Sequence, residues 1–124
     1  MVSKFVLPGI LLALTLAFGL WLSLAGKPYN SLLFNVHKLI ALAAVVVVGV
    51  LVYREFRAAP PATLVVALLV LAGICVIALF ATGAIMSIGT GNYQLILTIH
   101  RIALVLLPIA LIGMGYFLTK GKVV

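Results

Sequence analysis

The chain has no aspartate and a single glutamate, Glu55, among its 124 residues. That scarcity removes paired-carboxylate catalysis, carboxylate metal cages and proton-coupled transport through a membrane-embedded acid. There is one cysteine, Cys75, so neither an intrachain disulfide nor a CxxC redox pair can form. Quinone-linked thiol oxidoreductases, which also use four helices, are excluded on that ground. Polar residues are scarce as well. Hydrophobic residues make up 67% and charged residues 7%, where soluble domains are apolar at roughly half their positions. Soluble enzymes, nucleic-acid binders and disordered tails do not have this composition.

What is present is long apolar sequence, with a mean hydropathy of +1.47. Four runs stand out, at about 5–25, 32–53, 62–86 and 95–119. A helix needs about 20 apolar residues to cross a ~30 Å hydrocarbon core. Four crossings use nearly the whole apolar stock. Lipid offers no water to unpaired backbone groups, so an all-α reading follows. The links GKPYNS, REFRAAPP and SIGTGNYQ are short, which makes successive helices antiparallel. The expected architecture is a single transmembrane domain over 1–124, an up-down-up-down four-helix bundle whose partner is the lipid bilayer. Span 1, at 21 residues, exceeds the ~7–15 of a signal-peptide core and is read as retained.

Eight Lys and Arg face that one acid, for a net charge of +7. Lys4, Arg54, Arg57, Lys120 and Lys122 fall on the side of the termini and the middle loop, and Lys27 alone falls in the opposite loops. The positive-inside bias then predicts an inner- or cell-membrane protein with both termini in the cytoplasm. Trp21, Tyr29 and Tyr93 would mark the outer interface, with Tyr53, Phe56 and Tyr116 at the inner one. Gly9, Ala13 and Ala17 form a small-residue stripe suited either to the bundle or to a homodimer.

Spans 1–2 and 3–4 read as two copies of one hairpin. Asn35-Val36-His37-Lys38-Leu39-Ile40-Ala41 matches Thr98-Ile99-His100-Arg101-Ile102-Ala103 with one residue fewer. Ala17, Gly19, Ser23 and Tyr29 recur at Ala81, Gly83, Ser87 and Tyr93 at an offset of 64, whereas the histidines are 63 apart.

His37 and His100 are the only histidines. Each lies about seven residues inside its span, and spans 2 and 4 run the same way, so both imidazoles are expected roughly 10 Å below the outer boundary. In the expected bundle, helices 2 and 4 are diagonal and about 11–14 Å apart. An iron porphyrin held edge-on, with one imidazole on each face, suits that gap. Gly19 and Gly83 would lie level with the histidines and let a flat macrocycle approach the backbone. Ala41 and Ala103 would keep the ligand-bearing faces thin. Lys38 and Arg101 would snorkel outward, toward haem propionates or lipid phosphates. The carbonyls of Leu33 and Ile96, helped by Asn35 or Thr98, are the expected partners of Nδ1, leaving Nε2 for iron. Spans 1 and 3 read as uniformly apolar. The histidines and their basic neighbours are then the expected buried ionisable groups.

On these features, four spans plus the HKLIAL and HRIALV segments, the chain resembles the integral-membrane b-type cytochromes, in a small form. The resemblance implies one haem b per chain with His37 and His100 as its axial ligands, and electron exchange with a quinone or quinol, a membrane redox complex or another protein partner. Two histidines leave none for the second haem of larger relatives. Near the outer face, one centre would exchange electrons on that side rather than carry them across. Six-coordinate iron implies electron transfer rather than a stand-alone enzyme. Zinc or copper is a poorer fit, because two imidazoles need further ligands. Met86 as a substitute ligand reads better as packing, Cys75 as inert core, and Pro108 as a bend in span 4. The competing reading is a non-redox four-helix protein, either a structural or assembly subunit or a small transporter.

Overall fold

The computed structural model describes residues 3–26 and 28–120. Lys27 and Lys122, both used above for orientation, lie outside them. The chain is all-α. Its helices are α1 (Ser3–Ala25), α2 (Ser31–Ala58), α3 (Thr63–Ile88) and α4 (Tyr93–Lys120), and no strand occurs among the described residues. At 23 to 28 residues, with window hydropathies of 2.2 to 3.2, all four are long and apolar enough to span a membrane. Their surfaces suit lipid, with Leu24, Ile77, Ile88 and Ile112 each more than 70% exposed.

The chain divides into two compact units, Met1–Ala59 and Pro60–Val124. Each is one helical hairpin, α1 packed on α2 and α3 packed on α4. The second hairpin has the tighter core. Ala72 and Cys75 of α3 meet Ala103, Leu107 and Ala110 of α4, and Ala110 is fully buried. Small residues on facing helices let the backbones approach, so that dispersion contacts hold the pair where lipid supplies no hydrophobic drive. Cys75 is thus a buried free thiol within this packing.

Both odd-numbered connections end in an asparagine cap. Asn30 Oδ1 accepts from the backbone N–H groups of Leu32 and Leu33 at 2.9 and 3.2 Å, and Asn92 Oδ1 accepts from that of Leu95 at 3.2 Å. An asparagine here satisfies amides that the helix start leaves open. The caps revise one detail of the repeat. Tyr29 precedes its cap, whereas Tyr93 follows Asn92 and opens α4, so the two tyrosines are not equivalent despite their offset.

Helix α2 also runs past the expected end of its span. Arg54-Glu55-Phe56-Arg57-Ala58 continue the helix until Pro60 and Pro61, because these residues are helix-compatible and only proline stops them. This overrun lays Glu55 against α1. It is 8% exposed and accepts from Lys4 Nζ at 2.6 Å. The histidines are therefore not the only partly buried titratable side chains, as the sequence had suggested. A glutamate in a segment taken for a loop is drawn inward by a lysine 51 positions earlier.

Candidate functional site

In the first hairpin, α2 carries His37 half-buried against Gly19 of α1. The approach is close. A Cβ built on Gly19 would stand 3.0 Å from His37 Cε1 and 3.7 Å from each ring nitrogen. Glycine is what allows the ring to lie on the α1 backbone. His37 Nδ1 is buried and makes no hydrogen bond within the described residues. The backbone of Thr15, one turn before Gly19, faces the ring without closing a bond to that atom. Neither the Leu33 carbonyl nor Asn35 fills the role expected of it. The carbonyl four residues back is already engaged by the helix itself, and Asn35 is exposed.

In the second hairpin, His100 of α4 faces Gly83 of α3 in the same manner but less tightly, with 3.8 Å between a built Cβ and Cε1. Here Nδ1 has a partner, Thr82 Oγ1 at 2.8 Å. Thr82 is 5% exposed, and its hydroxyl donates to the Ala78 carbonyl at 2.6 Å, with Leu79 O at 3.2 Å. This corrects two expectations. Span 3 is not uniformly apolar, and the partner of His100 comes from the facing helix rather than from Ile96 or Thr98. Thr98 instead donates to the Gln94 carbonyl.

The remaining candidates divide. Ala41 is half-buried on α2, while Ala103 is buried within the α3–α4 core, where it packs against neighbouring helix. Lys38 is exposed, its Nζ 4.3 Å from the centroid of the Phe34 ring. A cation over an aromatic face is a favourable contact in its own right. Phe34 in turn lies 6.2 Å from Tyr29. Arg101 is exposed on α4, beside a shallow depression shared with Thr98, Ile102 and Val105. Met86 is half-buried near the end of α3. Among the described residues no three His, Cys, Asp or Glu side chains gather.

Thr82 is the residue that sequence reading missed, and a signal for it exists. It sits next to Gly83, at the one position in that stretch where the repeat breaks polarity: at an offset of 64 the first hairpin has Phe18. No family profile matches the chain, and no curated protein or solved structure is similar enough to match it. Its chemistry therefore has to be argued from its own residues.

Proposed function

We propose that this chain is a membrane b-type cytochrome that holds one haem b between His37 and His100 and exchanges electrons on the extracytoplasmic side. The observation that carries the reading is a repeated seat: each hairpin contains one histidine, laid on a glycine of the preceding helix. Histidine is expensive in a membrane helix and reads there as functional by default. The residues suit haem on two further counts. The donors are imidazoles, with no carboxylate or thiolate beside them: Glu55 pairs with Lys4 at a helix end, and Cys75 lies about 12 Å along α3 from Gly83 at ~1.5 Å per residue. And His37 Nδ1, buried without a partner, marks a ring the protein alone leaves incompletely satisfied.

Bound haem would supply a one-electron couple. The chain's own residues would set its surroundings. His37 and His100 offer nitrogen donors, Thr82 holds the proton on His100 Nδ1, and Gly19 and Gly83 keep the ligand-bearing helices close. Lys38 and Arg101, at the outer end of their helices, carry charge that attracts propionates and favours the reduced state. With both axial positions taken, the role is electron transfer, and the partner is a lipid-soluble quinol or a membrane redox complex. The basic residues of the termini and middle loop favour cytoplasmic ends. A second copy of the chain is a further candidate partner, through Gly9, Ala13 and Ala17, of which Ala13 and Ala17 are exposed and Gly9 meets nothing within 4 Å.

The test is colour. Full-length protein purified in detergent from haem-replete cells should show a Soret band, sharp α and β bands after dithionite, and about one haem per chain. A colourless preparation ends the reading. A second reading is favoured by the Thr82–His100 bond, which satisfies one imidazole inside its own hairpin. On it the histidines are polar clasps between helices of a non-redox structural or assembly subunit, or of a small transporter. Colourless protein that loses helix pairing on His100→Ala would select it.

A further inference from the structure

The Thr82 hydroxyl has one proton and two near oxygen acceptors, Ala78 O at 2.6 Å and Leu79 O at 3.2 Å. Two oxygens 2.6 Å apart need a proton between them, so the hydroxyl proton lies toward Ala78. The oxygen can then only accept at His100, 2.8 Å away. His100 Nδ1 must carry hydrogen, and in the neutral ring Nε2 is then the basic nitrogen. An Nδ1–H that donates to a fixed oxygen orients the imidazole and raises its basicity as a ligand.

The first hairpin has no such device. Phe18 occupies the position matching Thr82 and offers no acceptor, and His37 Nδ1 is buried without a hydrogen bond among the described residues. Loss of an outer partner of this kind weakens a metal ligand by about 10–100-fold. The His37 ring is also the more crowded of the two, against Gly19.

We infer that the two imidazoles are unequal. Thr82 is a positioning residue that makes His100 the permanent ligand, and His37 is the ligand that yields its place to a small neutral molecule such as carbon monoxide. This rests on the haem reading above. The exchange moves no electrons: the bond to His37 Nε2 breaks, its lone pair returns to the ring, and the incoming carbon donates a pair in its stead.

Two measurements on the full chain test it. The first needs no haem. In lipid vesicles, nitrogen-15 spectra of the apoprotein should show His100 protonated at Nδ1 and bare at Nε2. Thr82→Val should abolish that preference and Thr82→Ser should keep it. The second titrates reduced, haem-loaded protein with carbon monoxide. The wild type should bind one molecule per chain, and His37→Ala should keep its haem and bind carbon monoxide at least ten-fold more tightly. His100→Ala should lower haem affinity at least ten-fold more than His37→Ala does. His100 found protonated at Nε2, or equal haem loss from the two alanine variants, overturns the inference. Wild-type protein that takes up no haem overturns the exchange together with the haem reading, and the apoprotein spectra still decide the role of Thr82.

Discussion

The two hairpins make the same gesture with different means. Each lays a histidine on a glycine and opens its second helix with an asparagine cap. They differ in where polarity was kept. The first holds its helix ends together with the Lys4–Glu55 ion pair and leaves its histidine Nδ1 unsatisfied. The second has Leu68 and Leu118 at the positions matching that pair, close-packed alanines in its core, and a threonine on its histidine. A polar contact placed at one end of a hairpin secures pairing, whereas one placed at mid-hairpin orients a side chain. The difference teaches that one scaffold supports both uses.

The sharpest way to break the comparison is to move the second hairpin's residues into the first. Lys4→Leu alone leaves Glu55 buried without its lysine. Breaking a fully buried pair costs about 3–5 kcal/mol, and the partly exposed Lys4 reduces this to about 1–3 kcal/mol. The double variant Lys4→Leu/Glu55→Leu should recover most of that, since well-packed apolar replacements of ion pairs are often neutral. Denaturation midpoints in mixed micelles measure both, and a double variant as unstable as the single one would contradict the equivalence. Next in size is Ala110→Leu. Overpacking a filled core costs about 1–3 kcal/mol, and Ala110 has no exposed surface to yield.

A smaller effect separates the two glycines. Gly19→Ala pushes a methyl to 3.0 Å from the His37 ring, so the ring must turn, whereas Gly83→Ala meets His100 at an ordinary 3.8 Å. An off-rotamer ring costs about 1 kcal/mol, so Gly19→Ala should lower the midpoint and shift the His37 ring resonances. Gly83→Ala should do neither. The smallest expected effect is shared: Asn30→Ala and Asn92→Ala should each cost about 0.5–1 kcal/mol through loss of a cap. Unequal losses would show that the two caps do different jobs.

Much of this was legible in the residues. The four helices follow from four apolar runs, and the pairing of Gly19 with His37 and Gly83 with His100 follows from counting residues back from short links. What escaped was side-chain contact across helices. Glu55 looked like a loop residue because Arg-Phe-Arg around it is polar enough to end a span, yet nothing there stops a helix before Pro60. Thr82 looked like filler, because a lone threonine commonly bonds its own backbone. It does so here, and its oxygen still has a lone pair for His100.

Composition determined that this chain is helical and membrane-sized, because long apolar segments without water to serve their amides must satisfy every backbone group within the helix. Which polar atoms meet was left to tertiary structure. A hydroxyl reaches an imidazole only if two facing helices have the right rotation and register, so only the packed hairpins could distinguish the tethered His100 from the untethered His37.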